Sequence, residues 1–222
     1  MRFLITAGGT REYIDPVRFL SNASSGRMGY ALAHAAIKAG YEVTLITAPT
    51  ALEPPSGAEI VGVDSAAQMF KAVKEHFTRC DCLIMAAAVA DYTPAHPSGT
   101  KMKKQADRLN LELKPTADIL EWAGRHKADS RPTGHRSRLV VGFALEDRDL
   151  RANAERKMRQ KHLDMIVANA PAAIGARRTT VHIKWRDSQW IEIANATKTT
   201  ITKRIVSLLA QGLSSRDRQR FQ

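Results

Sequence analysis

The sequence predicts an α/β fold, a doubly wound and mostly parallel (Rossmann-like) sheet with a flexible flap and a C-terminal hairpin. Three apolar strand patterns, at residues 3–6, 42–47 and 82–87, alternate with helix patterns in the first part of the chain. The third run is apolar throughout, which is typical of strands buried on both faces of a parallel sheet. Strand–helix units in succession favour right-handed crossovers, with helices covering both faces of the sheet.

Helix signals separate these three strands. An alanine-rich pattern over residues 29–39 ends at Gly40, and glycine readily takes the left-handed conformation that follows a helix. Ser65 precedes a second helix pattern that extends to residue 77. A serine at that position can accept a hydrogen bond from the free N–H groups of the first helical turn. These two helices supply the crossovers that the parallel sheet requires.

The middle of the chain interrupts this regular pattern. Residues 94–104 contain prolines, a glycine and several lysines, with few apolar groups to anchor them, which predicts a mobile loop, here called the flap. Residues 109–113 alternate leucine with polar residues and predict a half-exposed strand. A helix is expected over residues 118–126, followed at 129–138 by a loop rich in charge, proline and glycine.

The C-terminal part returns to alternating elements. Buried strands are predicted at residues 139–144 and 165–168, on either side of a basic helix at 148–161. The remaining predicted elements are a hairpin of residues 180–184 and 190–193 and a last helix at 197–209. We expect one domain over residues 1–212 and a frayed basic tail over 213–222.

Composition excludes several classes of protein. No apolar run approaches the ~20 residues that span a membrane. The chain enters a strand at once, without a basic and apolar leader, so we expect a cytoplasmic protein with no signal peptide. Cys80 and Cys82 flank a single aspartate and lack the companion ligands of a zinc site. This arrangement favours two reduced thiols.

The net charge of +12 keeps a nucleic-acid-binding module open as an alternative. Much of the excess lies at residues 101–104, at 148–161 and in the tail, where aromatic residues do not alternate with the cations as in a single-strand stacking platform. Local anion sites and a solvated tail explain the charge equally well, so we expect no nucleic-acid partner. A nucleic-acid binder would lose affinity steeply with salt and would turn over no substrate.

Two small-residue loops lie beside the first strand. Gly8 and Gly9 follow it, and the run Ser24-Ser25-Gly26-Arg27-Met28-Gly29 opens the next helix. Glycine lets the backbone approach a ligand, and a helix N-terminus offers free N–H groups, so the pair indicates a nucleotide or phosphate site. The spacing matches neither the dinucleotide fingerprint nor the P-loop. Ordinary turn chemistry explains the same residues and remains the alternative.

Further clusters follow the later strands, where an open α/β sheet binds its ligands. Small residues lead to Asp91, a carboxylate that could ligate Mg²⁺. Phe143 stands at the end of a strand, and Lys157 and Lys161 share one face of the basic helix. Taken singly, core packing explains the phenylalanine and a solvated helix face explains the lysines at least as well.

In their order, however, these motifs resemble the phosphopantothenate–cysteine ligases (phosphopantothenoylcysteine synthetases), the ligase half of bifunctional bacterial coenzyme A biosynthesis proteins. The matching segments are Ile5-Thr6-Ala7-Gly8-Gly9-Thr10-Arg11-Glu12, Asp15-Pro16-Val17-Arg18, Ser21-Asn22-Ala23-Ser24-Ser25-Gly26-Arg27-Met28-Gly29, Ala87-Ala88-Val89-Ala90-Asp91-Tyr92, Lys101-Met102-Lys103-Lys104-Gln105, Val141-Gly142-Phe143-Ala144 and Ile166-Val167-Ala168-Asn169. The chain departs from the family at residues 116–119, Thr-Ala-Asp-Ile in place of Asn-Pro-Asp-Ile, and in the loop at 131–138. The flavin-dependent decarboxylase half is not in this sequence.

The resemblance implies a reaction. A nucleoside triphosphate activates 4′-phosphopantothenate as an acyl-nucleotide, pyrophosphate leaves, and the amine of L-cysteine then displaces the nucleoside monophosphate. It implies CTP as the nucleotide, with ATP as the alternative, and Mg²⁺ as the metal ion. It also implies a homodimer, no membrane partner, and a separate phosphopantothenoylcysteine decarboxylase acting on the product. Residues 1–212 would then be a nucleotide-binding ligase domain.

The resemblance also implies roles for individual residues. Asn22 would orient the carbonyl of the acyl-nucleotide, and Lys101 would close over the site from the flap. Asp91 would bind the nucleotide or its metal ion, and Phe143 would pack beside the base. The other implied ligand-binding residues are Gly8, Gly9, Ser24, Ser25, Gly26 and Met28 around the phosphates, Met85, Ala86, Ala87, Ala117, Asp118, Ile119 and Leu120 beside the base, and Lys157 and Lys161 at phosphate.

A competing hypothesis from the same fold is a short-chain NAD(P) oxidoreductase. Such an enzyme needs a catalytic tyrosine with a lysine four residues later. Neither Tyr41 nor Tyr92 has one. The sequence therefore favours the ligase over the oxidoreductase.

Overall fold

The structure is a computed structural model that describes residues 1–104, 108–129 and 138–218, with side chains described up to residue 212. Its strands are β1 (Arg2–Ala7), β2 (Arg11–Tyr13), β3 (Phe19–Ser21), β4 (Glu42–Thr47), β5 (Ala58–Gly62), β6 (Cys82–Met85), β7 (Tyr92–Pro94), β8 (Leu113–Pro115), β9 (Leu139–Leu145), β10 (Met165–Asn169), β11 (Arg178–Trp185) and β12 (Ile191–Thr197). Its helices are α1 (Arg27–Lys38), α2 (Ala66–Phe77), α3 (Ile119–Arg125), α4 (Leu150–Gln160) and α5 (Lys198–Arg218), with a 3₁₀ turn at Pro171–Ala173.

Eight strands form one sheet in the order β12-β11-β10-β9-β6-β1-β4-β5. The six strands from β10 to β5 are parallel, whereas β11 and β12 pair antiparallel as a hairpin at one edge. Two small two-stranded sheets, β2 with β3 and β7 with β8, lie outside this main sheet. The mostly parallel sheet and the C-terminal hairpin predicted from the sequence are thus confirmed.

Helices cover both faces of the sheet, as a doubly wound fold requires. Apolar residues of α1 and α5 pack against one face, and those of α2, α3 and α4 pack against the other. Strand β1 shows why its run Phe3-Leu4-Ile5 is apolar: Phe3 and Ile5 belong to the first cluster, Leu4 belongs to the second, and none is more than 1% exposed. Burial of such side chains contributes about 1.5–3 kcal/mol each.

The strand order places a topological switch point at β1. The chain runs outward from β1 to β4 and β5, then returns to β6 on the opposite side of β1 and continues to β9 and β10. At such a point the connections leave in opposite directions and open a crevice at the carboxyl ends of the strands. The segment that leads into α1 and the loop after β6 border this crevice.

The predicted helix boundaries and caps are largely confirmed. Ser65 caps α2, because its hydroxyl accepts from the Gln68 N–H while the Gln68 side chain accepts from the Ser65 N–H. Gly40 follows α1 with φ 82°. Cys80 and Cys82 are buried thiols. Within the described part of the chain, no helix is both long and apolar enough to cross a bilayer.

One local prediction is wrong, one strand was not predicted, and the last helix is longer than predicted. Residues 109–112 form no strand; only β8, at residues 113–115, pairs with β7, so the alternating leucines stay exposed. The edge strand β5 lacks the continuous apolar run expected of a buried strand and was not predicted. The backbone of α5 continues to residue 218, beyond the predicted end at 209, and residues 219–222 of the predicted tail lie outside the described residues.

Arg138 ends the predicted charged loop, of which residues 130–137 lie outside the described residues. Its side chain is fully buried, and its guanidinium donates to the carbonyl oxygens of Phe77, Thr78 and Asp129. The guanidinium also lies 4.9 Å from the centre of the Phe77 ring. A buried charge needs such partners. Arg138 therefore joins the end of α2 to the start of β9, a structural role that its charge did not suggest.

Candidate functional site: a cleft at the switch point

A cleft of about 600 Å³ opens at the carboxyl ends of the central strands. Most residues predicted to bind ligand line it. They are Asn22, Ser24, Ser25, Gly26, Met28, Met85, Ala86, Ala87, Asp91, Ala117, Asp118, Ile119, Leu120, Phe143, Lys157 and Lys161. The sheet thus brings together motifs that are more than a hundred residues apart in sequence, as the switch-point geometry predicts.

The glycines around the start of α1 bring this helix close to β1. Gly26 has φ 73°, and a Cβ there would lie 2.6 Å from Thr50 Cγ2. A Cβ on Gly29 would lie 2.6 Å from Ala7 Cβ and 2.7 Å from the Thr6 carbonyl oxygen. These three distances are shorter than real Cβ contacts, so only glycine fits. The N-terminal turn of α1 is thereby placed at the cleft wall, and among the described residues no side chain caps it.

Gly8 and Gly9, by contrast, do not line the cleft in this structure. Gly8 has φ 83°, and a Cβ there would lie 2.8 Å from the Ala48 carbonyl oxygen. A Cβ on Gly9 would lie 2.8 Å from the Asn22 carbonyl oxygen. Their missing side chains make room for neighbouring backbone, which accounts for both glycines without a ligand contact.

Asn22 joins two cleft loops. Its side-chain amide donates to the carbonyl oxygens of Ala88 and Val89, each at 3.2 Å. Its backbone oxygen accepts from the Ser24 N–H at 2.7 Å. Within the described residues no group donates to the side-chain oxygen of Asn22. In this state the residue therefore presents an acceptor, and it can act as a donor toward a ligand only by releasing one of two long hydrogen bonds.

The loop after β6 presents backbone to the cleft. The Thr6 hydroxyl accepts from the Ala87 N–H at 3.1 Å, and the Gly8 carbonyl accepts from the Ala88 N–H at 2.8 Å. Because Ala86 and Ala87 have small side chains, the backbone beside them can approach a flat ligand closely. This geometry is compatible with the predicted contact between this loop and a nucleotide base.

The two predicted phosphate-binding lysines already have protein partners. Lys157 donates from Nζ to the Phe143 carbonyl oxygen at 2.8 Å. Burial, and secondly the charge of Lys161, lower the pKa of Lys157 below 10.5. Lys161 forms an ion pair of 2.7 Å with Asp118, which also caps α3 by accepting from the Glu121 N–H. Burial alone would raise the pKa of Asp118, but the hydrogen bonds from Lys161 and Glu121 outweigh it and the pKa is lowered.

The lowered pKa of Lys157 predicts an alkaline loss of nucleotide affinity. Below its folded-state pKa the ammonium group is charged and attracts phosphate; above it the charge is lost, and this point lies below 10.5. We expect CTP affinity, measured by calorimetry between pH 7 and 10, to fall with rising pH. Lys157→Arg is the matched control, because arginine stays charged in this range. An equal fall of CTP affinity with rising pH in the wild type and in Lys157→Arg would contradict the prediction.

Asp91 lies at the cleft wall with its side chain exposed, and its backbone carbonyl accepts from the Thr116 N–H at 2.9 Å. Within the described residues no group of three or more histidine, cysteine or acidic side chains could hold a metal ion. A single carboxylate beside the cleft is nevertheless sufficient for Mg²⁺, because this ion binds through one or two carboxylates together with substrate phosphates. The residues therefore fit a metal ion that arrives with the nucleotide.

Lys101 lies outside the cleft, but the flap beside it is anchored. Asp15 is 1% exposed and accepts from the Met102 N–H at 3.1 Å, while Arg18 donates to the Met102 carbonyl at 2.6 Å. Arg18 also pairs with Asp15, and this hydrogen bond holds the pKa of the carboxyl well below its usual value. The flap is therefore attached at Met102, the residue next to Lys101, and not free along its whole length.

Sequence reasoning missed one end of the cleft. Its residues come from the start of α1, from the 3₁₀ turn, from the hairpin and from the start of α5. They are Arg27, Asn169, Ala173, Ile174, Gly175, Thr179 and Lys198. Arg27 belongs to the run Ser24-Ser25-Gly26-Arg27-Met28-Gly29, so its charge could have been included in the predicted site. The sequence around Lys198 contains no comparable motif, because only the packing of α5 on α1 brings this lysine to the cleft.

The fold and cleft define an open α/β domain with a candidate ligand site at its switch point. The chain belongs to the DNA/pantothenate metabolism flavoprotein C-terminal domain family, whose model matches residues 1–213. This confirms the family resemblance found in the sequence.

Relatives and solved structures agree with this assignment. The chain is 42% identical over 212 residues to the coenzyme A biosynthesis bifunctional protein CoaBC of Bacillus subtilis, covering 93% of this chain and 50% of that protein. It is 47% identical over 176 residues to a cysteine/cysteine sulfinic acid decarboxylase of an unknown prokaryotic organism, covering 79% and 47%. It matches the crystal structure of the C-terminal domain of a CoaBC protein with a TM-score of 0.79 and 38% identity, covering 96% and 98%. The chain spans about half the length of the curated relatives it matches.

Proposed function

We propose that this chain is a phosphopantothenate–cysteine ligase domain of coenzyme A biosynthesis that uses CTP. The observation that carries the proposal is the convergence of the family motifs in one cleft, at the switch point of the sheet. The match to a CoaBC C-terminal domain, complete over nearly all of both chains, supports it. The decarboxylase name of one relative describes a protein of which this chain covers 47%.

The chemistry explains why such a cleft is useful. A carboxylate does not react with an amine at neutral pH, so its oxygen first attacks the α-phosphorus of CTP and displaces pyrophosphate. The cysteine amine then attacks the acyl carbon, loses a proton and displaces CMP. All the phosphate-bearing species are anionic, so cations and oriented N–H donors promote the reaction more than a nucleophilic side chain would.

Different parts of the cleft bind different parts of the substrates. Ser24, Ser25 and Gly26 place the N-terminal turn of α1 beside the phosphates, where free N–H groups bind anions. Phe143 and the small-residue loop after β6 flank the space for a base. Asn22 lies between these regions and meets the activated carbonyl. A separate phosphopantothenoylcysteine decarboxylase would consume the product.

The experiment that tests the proposal measures pyrophosphate release by the purified chain. Release is expected with CTP only when 4′-phosphopantothenate is present, and phosphopantothenoylcysteine is expected when L-cysteine is added. ATP is run in parallel, and we expect it to be the poorer nucleotide. Pyrophosphate release that does not depend on phosphopantothenate would contradict the ligase hypothesis. Tight, salt-dependent binding of duplex DNA without turnover would favour the alternative, a nucleic-acid-binding module.

The metal role of Asp91 gives a separate prediction. When bound, Mg²⁺ neutralises charge on the triphosphate. Asp91→Asn removes the carboxylate at nearly constant size, so the Mg²⁺ concentration for half-maximal rate should rise by about tenfold or more. Asp187→Asn, in the turn of the C-terminal hairpin, is the control. An unchanged metal requirement in Asp91→Asn would indicate that the carboxylate only shapes its loop.

We also propose that the chain forms a homodimer through the two small sheets. These sheets carry a group of exposed apolar side chains, namely Tyr13, Val17, Phe19, Tyr92 and Leu113, between 37% and 58% exposed, and Leu109 and Leu111 continue it. The ring centres of Tyr13 and Phe19 lie 5.5 Å apart. A contiguous apolar patch of this kind marks an interaction surface. Light scattering should give the mass of two chains, and Leu113→Glu should shift it toward one.

A further inference from the structure

The cleft has two chemically different ends. At one end the cations have acidic neighbours: Lys161 pairs with Asp118, and Glu146 and Asp118 lie close enough to Lys157 for their charges to favour its ammonium form. Glu146 also lines this end. The positive charge there is therefore largely compensated before any ligand binds.

The other end is formed by Arg27 and Lys198, the first residues of α1 and α5. Within the described residues Arg27 has no hydrogen-bond or ion-pair partner, and Lys198 has one, the Ala176 carbonyl at 2.6 Å from Nζ. The two groups are close enough for burial and then the charge of Arg27 to lower the pKa of Lys198. Two like charges thus lie near each other at the cleft, and among the described residues neither forms an ion pair with a carboxylate.

From this contrast we propose that Arg27 and Lys198 form a phosphate subsite that binds the β- and γ-phosphates of the nucleotide and the pyrophosphate they become. The inference rests on the proposed function. It places the base near Asp118 and Phe143 and directs the triphosphate past Ser24–Gly26 toward α5. Lys157 and Lys161 then lie toward the ribose and the α-phosphate, and the terminal phosphates lie at the opposite end.

The subsite would assist the first chemical step. As the carboxylate oxygen bonds to the α-phosphorus, the bond from that phosphorus to the bridging oxygen breaks, and the electron pair leaves with pyrophosphate. Negative charge therefore grows on the group held by Arg27 and Lys198. Cations already placed at developing charge stabilise the transition state more than the ground state. Because Arg27 is exposed, the product can still leave.

Calorimetry with three probes tests the subsite on the full chain in buffer containing Mg²⁺. Inorganic pyrophosphate, CMP and 4′-phosphopantothenate are titrated into wild type, Arg27→Gln, Lys198→Gln and the control Lys203→Gln, an exposed lysine of the same helix that does not line the cleft. We expect each cleft substitution to weaken pyrophosphate about tenfold to a hundredfold, the effect of one charge-assisted hydrogen bond. CMP and phosphopantothenate should bind unchanged.

Two results would overturn the assignment. Equal pyrophosphate affinity in all four proteins would show that no such subsite exists. Loss of phosphopantothenate affinity with pyrophosphate unaffected would show that the cations hold the phosphate of the acyl substrate. Thermal unfolding checks that each variant is folded. Because pyrophosphate binding needs no turnover, calorimetry tests the subsite even if the wild-type protein fails to ligate. Such a failure would refute the proposed function but not the subsite.

Discussion

Asn22→Asp is expected to lower the rate of ligation by about 10²–10³-fold while the fold stays intact, the size of effect seen when a group that stabilises developing charge is lost. The Asn22 amide donates to the carbonyl oxygens of Ala88 and Val89. Aspartate would replace these donors by a charged oxygen facing two carbonyl oxygens. It would also set a negative charge against an anionic intermediate.

The measurement is formation of phosphopantothenoylcysteine under saturating substrates, with thermal unfolding as the test of folding. Asn153→Asp is a matched control, because its amide also donates to a backbone carbonyl, that of Arg148 at 2.9 Å, but lies outside the cleft. We expect the control to retain near-normal turnover. Near-normal turnover by Asn22→Asp would remove Asn22 from the mechanism.

The main sheet could be predicted because its signals are local. Strand β6 and the centre of β1 are buried on both faces, so both segments are continuously apolar. Ser65 and Gly40 mark helix ends through short-range hydrogen bonding and backbone conformation. Strand β5 could not be found in this way, since it lies at the sheet edge and most of its residues face solvent.

The leucines at residues 109–113 show a different limit. Alternation requires one covered face, but within the described chain only residues 113–115 have a partner strand. The pattern therefore marks an apolar surface that the described residues leave exposed. The proposed homodimer would cover this surface.

The residues of the candidate site could be predicted where a short sequence motif determines the local backbone structure. The run from Ser24 to Met28 opens a helix, and helix N-termini at strand ends bind anions wherever they occur. Gly8 and Gly9 were assigned to ligand because glycine permits close approach, and the structure shows backbone in that space. Lys198 was missed because the packing of α5 on α1, a contact between distant parts of the chain, brings it to the cleft.

Lys101→Gln is expected to reduce ligation about a hundredfold, whereas Lys104→Gln should change it by less than about threefold. Both side chains are exposed on the flap, and both substitutions remove one charge at similar length, so a general charge effect would make them equal. They differ in position. Lys101 is adjacent to Met102, whose N–H and carbonyl are held by Asp15 and Arg18.

We expect Lys101 to reach an anionic intermediate when the flap closes and to shield that intermediate from water. The kinetic pattern follows: the Lys101→Gln defect should lie mainly in kcat, with CTP affinity weakened and not abolished, because the nucleotide still contacts the cleft. Calorimetry with CTP separates the two effects. Equal rates for the two variants would show that closure does not depend on Lys101, and a defect in CTP affinity alone would make it a binding residue without a role in closure.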